Sequence, residues 1–259
     1  NSEYASIYSG KVVLRFDDTD TRVKPPLPEA YEWISEEYEW LAGRPADVTI
    51  RASERMSLYL DFAKKMITEG FGYVCRCSAA KFKKLRDESN ACPCREKSVD
   101  DNLVDWGLMI EGEIEEGGAV VRVMTNLDLP NPALRDWPAL RIQHTPHPMV
   151  GDKYKVWPLL DFQSAVEDHL QGVTHIVRGK DLMDSTRKQT LLYDHFGWTY
   201  PETLYWGRVK VHEFGSFSTS QMKKSISKGE YSGWDDIRLP TLSALRRRGF
   251  SPKALKEFW

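Results

Sequence analysis

The sequence predicts a mixed α/β protein split by a module of different character, and three observations carry that prediction. A short apolar strand near the start ends in a run of acids and gives way to helical periodicity. A central stretch then loses that pattern and gathers cysteines, prolines and acidic turns, after which a strand–helix–strand succession resumes. A chain of 259 residues exceeds the usual single domain, so one domain with a sizeable insertion, or two modest domains, is expected.

Residues 11–16, Lys-Val-Val-Leu-Arg-Phe, read as a buried strand that stops at Asp17-Asp18-Thr19-Asp20. Ala30, Ile34, Tyr38 and Leu41 recur at helical spacing and Gly43-Arg44-Pro45 closes that helix. Tyr59, Phe62, Ala63, Met66 and Ile67 mark a second amphipathic helix ending near Gly70. Between about Cys75 and Met149 only short strand-like pieces occur, such as residues 120–124, and this stretch reads as an inserted module. Residues 174–177 form the next expected strand, ending in Arg178-Gly179-Lys180-Asp181. A helix through Leu191, Leu192, His195 and Phe196 follows, with Gly197 as its stop. Residues 205–211 read as one more strand and 215–229 as a polar loop. Helical material closes the chain, with Ser251 as an N-cap before Pro252 at the first helical position.

Composition narrows the class. Hydrophobic residues at 41% and charged residues at 29% exclude collagen-like and disordered chains. No apolar run approaches the roughly 20 residues of a membrane helix. Lys and Arg total 36 against 38 Asp and Glu, a net charge of −2, so any nucleic-acid surface has to be a local patch. Four cysteines are too few for a disulfide scaffold and no secretory leader precedes the first strand, so a cytoplasmic, reducing setting is expected.

Four constellations could carry chemistry. Asp17 and Arg178 each follow a strand, and ligands of open α/β sheets bind beyond the carboxyl ends of strands. An aspartate there can pair with an ammonium and a guanidinium can grip a carboxylate, which together suit an acidic amino acid. The plainer reading has Asp17 and Asp18 capping the next helix and Arg178 pairing with Asp181. Cys75-x-Cys77 and Cys92-Pro93-Cys94 offer four thiolates for a structural zinc, tighter in spacing than common sites; the alternative is four unligated thiols. The stretch from Ser216 to Lys224, with Ser218, Thr219, Ser220, Gln221, Met222 and Lys223, could cradle polyphosphate or be a solvated linker. Arg246-Arg247-Arg248, with Arg238, Lys253, Lys256 and Trp234, could bind a phosphate backbone or form a solvated basic face. His169, His175, His195 and His212 each stand alone and read as structural.

Taken together these residues resemble the archaeal and eukaryotic-type glutamyl-tRNA synthetases, class I enzymes related to glutaminyl-tRNA synthetases. The matching segments are residues 14–20 (Leu-Arg-Phe-Asp-Asp-Thr-Asp), 131–141 (Asn-Pro-Ala-Leu-Arg-Asp-Trp-Pro-Ala-Leu-Arg), 172–181 (Gly-Val-Thr-His-Ile-Val-Arg-Gly-Lys-Asp), Ser218-Thr219-Ser220, and 233–238 followed by the arginine triplet. They run in order along essentially the whole chain.

The resemblance implies a Rossmann-type nucleotide-binding domain in two parts, 1–74 and 155–212, split by an acceptor-binding insertion at 75–154 that carries the cysteines. The signature loop and the start of a helical connecting domain would occupy 213–259. It implies a glutamate–tRNA ligase: L-glutamate and ATP form glutamyl-adenylate, and the terminal ribose hydroxyl of tRNA takes the acyl group, with Mg2+ assisting and Zn2+ structural. The partners are tRNAGlu, with tRNAGln left open, and no membrane. Carried over by position, Asp17 meets the substrate ammonium and Arg178 its side-chain carboxylate, with Leu160 where related enzymes often place a tyrosine. Gly179, Arg208, Val209, Ser218, Thr219, Ser220, Gln221 and Met222 lie along ATP, and Ser220, Lys223 and Lys224 are the candidate catalytic residues. Gln221 stands in place of the second lysine of the family's Lys-Met-Ser-Lys-Ser loop, and Leu182 replaces a frequent histidine. The His-Ile-Gly-His motif and the anticodon-binding domains are not among these residues. The alternatives are a glutaminyl-tRNA synthetase, which Arg178 argues against, a short paralogue that glutamylates a modified tRNA base, and a catalytically impaired RNA-binding paralogue.

Overall fold

The computed structural model describes residues 1–207 and 218–258, and these fall into two compact units. The first comprises Asn1–Leu14, Glu29–Thr49 and Arg208–Trp259; the second comprises Arg15–Pro28 and Ile50–Gly207. In chain order the elements open with α1 (Ser2–Ile7), β1 (Val13–Phe16), α2 (Pro28–Ala42), β2 (Val48–Arg51) and α3 (Met56–Thr68). They continue with β3 (Gly72–Cys75), α4 (Ala79–Asp87), α5 (Val99–Glu111), β4 (Val120–Val123), β5 (Pro138–Ile142) and β6 (Val156–Pro158). The last are α6 (Leu160–Leu170), β7 (His175–Gly179), α7 (Met183–Phe196), β8 (Glu202–Trp206), α8 (Thr219–Ser227), α9 (Leu242–Arg247) and α10 (Pro252–Phe258).

Three sheets result among the described residues. β1 pairs with β2; β3, β4, β5 and β6 form a four-stranded sheet in that order; β7 pairs with β8. The four-stranded sheet is antiparallel throughout and shifts register between Val121 and Arg122. By contrast β7 and β8 are parallel, with Arg178 opposite Tyr205 and Gly179 opposite Trp206, and α7 makes the crossover that a parallel pair requires. Helical and extended patterns therefore segregate as expected of a mixed α/β chain.

The core of the second unit grows from the apolar face of α3. Met56, Tyr59, Ala63, Met66 and Ile67 are buried on it; Val74, Val121, Leu140 and Trp157 of the antiparallel sheet join the same cluster, with Trp137 just before β5. Phe162, Ala165 and Val166 of α6 and Leu192 and Tyr193 of α7 complete the cluster. Each large apolar side chain buried there contributes about 1.5–3 kcal/mol relative to exposure. This core fixes α6 and α7 against one another, and those two helices carry most of the polar groups described below.

Helix stops fall where the sequence puts them: Gly43, Gly70 and Gly197 adopt φ of +80°, +80° and +68°, a region that costs a side chain but not glycine. Ser251 caps α10 through the Ala254 amide. Several boundaries differ from expectation. β7 runs on through Gly179, so Arg178 lies within the strand and not beyond it, because the parallel ladder with β8 continues to that point. β8 begins three residues earlier than the expected start at 205, while residues 208–211 lie outside the described residues. The polar stretch 215–229 is not a loop over its described length, since residues 219–227 form α8. Its cause is local: the Ser218 hydroxyl accepts from the Gln221 amide while the Gln221 side chain accepts from the Ser218 amide, a reciprocal cap that satisfies donors at the helix start. Among the described residues no helix is long and apolar enough to cross a membrane.

Candidate active site and cysteine cluster

The acids after β1 divide into structural and available groups. Asp18 is buried: its two carboxylate oxygens accept from the backbone amide and the hydroxyl of Ser53 at 2.8 and 2.7 Å, which caps the helical turn Ala52–Arg55 ahead of α3. Asp18 therefore does not cap the next helix, as the plainer sequence reading has it, but holds the turn that leads into α3. Its backbone carbonyl accepts from Nε2 of buried His147 at 2.8 Å, while Nδ1 of that ring accepts from the Met149 amide at 3.1 Å. Thr19 bonds the Pro158 carbonyl and the Gln163 side chain, and Asp20 holds the amides of Arg22 and Val23 and pairs with Arg141.

Asp17 is held differently. Its Oδ1 accepts from Arg15 Nε at 2.9 Å and from the Gln163 amide nitrogen, and its Oδ2 has no hydrogen bond among the described residues. A second carboxylate, Asp168 on α6, takes Arg15 Nη1 at 2.8 Å. Although burial opposes the charge on Arg15, these two carboxylates raise its pKa further above an already high value. Asp168 is 5% exposed and its Oδ2 has no hydrogen-bond partner among the described residues. Burial pushes its carboxyl above the ordinary range, Arg15 and then Arg178 draw it back, and Asp17 adds to the rise. The charges of Asp17 and Arg178 therefore converge on one buried carboxylate.

Arg178 makes no ion pair with a carboxylate among the described residues, so the expected alternative pairing with Asp181 is not what holds it. Its Nη1 donates to Gln189 Oε1 at 2.9 Å and to Thr186 Oγ1 at 3.3 Å, both on α7. The Tyr200 hydroxyl also donates to Gln189 Oε1, at 2.6 Å, and burial pushes that phenol upward so that it stays protonated. Leu160 is exposed as the first residue of α6. At Gly179 a Cβ would collide with the Asp181 carboxylate, which gives the glycine a packing reason of its own. Arg15, Gln163, Asp168, Gln189 and Tyr200 were not singled out in the sequence. Two had a signal: a cation between the apolar residues Leu14 and Phe16 of the first strand, and the adjacent acids Glu167 and Asp168 amid apolar residues of α6.

The expected residues on α8 and the basic cluster lie in the first unit. Ser218 caps α8, and Thr219, Ser220, Gln221, Lys223 and Lys224 are exposed on its opening turns, with Met222 partly buried. Arg208 and Val209 lie outside the described residues. Of the basic cluster, Arg246 sits over the Trp40 ring, Arg247 pairs with Asp235 at 3.0 Å, and Arg248 lies over Phe250.

The four cysteines converge. Cys75 ends β3, and Cys92 and Cys94 belong to the short turn Pro93–Glu96 and its start. Sγ of Cys75 and Cys92 lie 3.8 Å apart, those of Cys77 and Cys94 lie 3.9 Å apart, and all four fall within 4.8 Å of one another. Tetrahedral zinc–thiolate bonds of about 2.3 Å put sulfurs about 3.8 Å apart, so the donor set and its spacing fit that ion. Donation from the Cys75 thiol lowers Cys92 to about 5, which makes it the readiest thiolate of the group. Below the cluster Tyr73 donates to buried Asp136 at 2.8 Å, Arg95 also meets that carboxylate, and Asp136 itself adopts φ of +42°.

Comparison with known proteins bears on this geometry. The model for "tRNA synthetases class I (E and Q), catalytic domain" matches residues 1–259. The chain belongs to this family. It is 56% identical to a glutamate–tRNA ligase of Archaeoglobus fulgidus, over all of this chain and 47% of that protein. It is 54% identical to one of Methanosarcina mazei, over all of this chain and 45% of that protein. The chain thus spans somewhat under half the length of these relatives. Among solved structures, a glutamate tRNA ligase from Elizabethkingia meningosepticum, crystallised with its amino acid, shares the family fold with a TM-score of 0.57 at 19% identity. That match covers 85% of this chain and 47% of that one.

Proposed function

We propose that the chain is the catalytic portion of a glutamate–tRNA ligase of archaeal type. The observation that carries this reading is Arg178, a partly buried guanidinium held, among the described residues, by neutral oxygens alone, whose charge acts on Asp168 as that of Asp17 does. A cation with no carboxylate partner among the described residues, together with a carboxylate that keeps one oxygen without a hydrogen bond among them, matches an amino acid with an acidic side chain. Glutamine presents a neutral amide to the same guanidinium and leaves its charge without a counterpart, which disfavours a glutaminyl enzyme.

In this reading the α-carboxylate of glutamate attacks the α-phosphorus of ATP, the bond to the β-phosphate breaks, and pyrophosphate leaves. The terminal ribose hydroxyl of tRNA then attacks the acyl carbon and AMP leaves. Asp17 holds the ammonium, Arg178 the side-chain carboxylate, and Ser220, Lys223 and Lys224 follow the charge that develops on the phosphates. When bound, Mg2+ neutralises phosphate charge; catalysis of this kind is positioning plus electrostatics, with no protein nucleophile. Residues 75–154 would receive the tRNA acceptor end, with Zn2+ on Cys75, Cys77, Cys92 and Cys94 holding that module's base. A second reading, an RNA-binding paralogue of impaired activity, is favoured by Gln221, which carries no charge and whose side chain is committed to capping α8.

Glutamate-dependent exchange of pyrophosphate into ATP by the full-length protein separates the two: exchange supports the ligase, and no exchange with folded protein supports the binding protein. Arg178→Ala should raise the KM for glutamate far more than that for ATP; equal rises would remove the role given to Arg178. Elemental analysis of protein purified without chelator should find about one zinc per chain, lost in Cys92→Ser.

A further inference from the structure

We infer that Gln189 is a specificity-determining positioning residue, which aims the Arg178 guanidinium at the substrate through a neutral oxygen and so leaves the full positive charge to an acidic side chain. The inference rests on the reading of Arg178 as the group that meets the side-chain carboxylate of glutamate.

Gln189 is 1% exposed, and its carboxamide can adopt one orientation only. Its Nε2 lies 3.2 Å from the Asp161 carbonyl oxygen, which can only accept. Its Oε1 receives two donors, Arg178 Nη1 at 2.9 Å and the Tyr200 hydroxyl at 2.6 Å. Reversing the amide would set a donor against the Arg178 guanidinium, which can only donate, and an acceptor against the Asp161 carbonyl, which can only accept. The anchor is thus fixed from three sides, by α6, β7 and the segment leading into β8.

What the anchor leaves free is the point. Thr186 and Gln189 both engage Nη1. Nε and Nη2 of Arg178 carry no hydrogen bond among the described residues, and this is an edge of a guanidinium that grips a carboxylate through two parallel bonds. Arg15 shows the opposite arrangement: its guanidinium is divided between Asp17 and Asp168, so its charge is already matched. A carboxylate at position 189 would convert Arg178 to the condition of Arg15, because an anion built into the protein competes with the substrate's own at far higher effective concentration. Selection of an anionic over a neutral side chain therefore depends on residue 189 being an amide.

The test compares wild type, Arg178→Ala, Gln189→Glu and Gln189→Met in the full-length protein, by pyrophosphate exchange with glutamate, glutamine and ATP varied in turn. Gln189→Glu is expected to raise the KM for glutamate by at least about tenfold, leave that for ATP within about twofold, and lower the preference for glutamate over glutamine by about tenfold. Gln189→Met, which loses the anchor but adds no charge, is expected to raise the KM for glutamate with a smaller loss of preference. A glutamate KM within about twofold of wild type in Gln189→Glu, or a rise shared equally with ATP, overturns the inference while leaving Arg178 its role. Should Gln189→Glu not fold, Gln189→Met decides by the same limits. An Arg178→Ala protein with unchanged glutamate KM instead overturns the reading on which the inference stands.

Discussion

Glu167 has no exposed surface, and its Oε1 accepts from Arg55 Nε at 2.6 Å and from the Tyr59 hydroxyl at 2.7 Å. Removing one member of such a set strands the others where water cannot replace it, so Glu167→Ala should cost about 3–5 kcal/mol in urea denaturation. The ion pair of Arg187 with Asp184 is about half exposed at both ends, and Arg187→Ala should change stability by less than about 0.5 kcal/mol in the same measurement. Similar costs for the two would mean that the Glu167 cluster is open to solvent. The contrast also marks what could be read from the chain alone. Asp17 and Arg178 were readable as candidates because each charge stands at or near the end of an apolar strand. Asp168, Gln189 and Tyr200 were not, because a polar residue on a helix or in a connecting segment does not announce which partner awaits it across the fold. Arg15 and Asp168 lie 153 positions apart and meet only through tertiary packing.

Helix boundaries were legible wherever glycine or a hydroxyl marked them, and α8 shows why composition alone misleads. Ser, Thr, Lys and Gly suggest a linker, whereas the spacing Ser218-x-x-Gln221 encodes a reciprocal cap that starts a helix with no buried residue. A nine-residue helix without a packed face is marginal, so its cap carries an unusual share of its stability. Ser218→Ala should therefore cost about 1 kcal/mol locally and speed amide exchange over residues 219–224 about fivefold, with exchange in α3 unchanged. Unchanged exchange in α8 would show that another contact holds it. The cysteine pairs were legible for the opposite reason: two short-spaced pairs demand convergence, and the turn at Pro93 brings the second pair under β3. The parallel extension of β7 through Arg178 could not be read, since it depends on the register of a partner strand 27 positions further on.

With a net charge of −2 the protein as a whole has little self-repulsion near neutral pH, so its stability profile should reflect individual carboxylates. Two of them act in opposite senses. Burial works against the charge of Asp20, but the Val23 and Arg22 amides and Arg141 outweigh it and hold its pKa below the usual value. Its contribution is therefore present above the unfolded pKa, about 4, and lost as pH falls through the folded value. Asp168 is raised by burial, so its contribution is present below about pH 4 and is lost as pH rises through its folded value. Measured as urea midpoints between pH 3 and pH 8, wild type relative to Asp20→Asn should lose its advantage on the acid side. Wild type relative to Asp168→Asn should lose its advantage as pH rises from the acid side towards neutrality. Difference curves of the same sign for both variants would mean that Asp168 is not buried as a charge, and would remove the electrostatic reason for Asp17, Arg15 and Arg178 to gather around it.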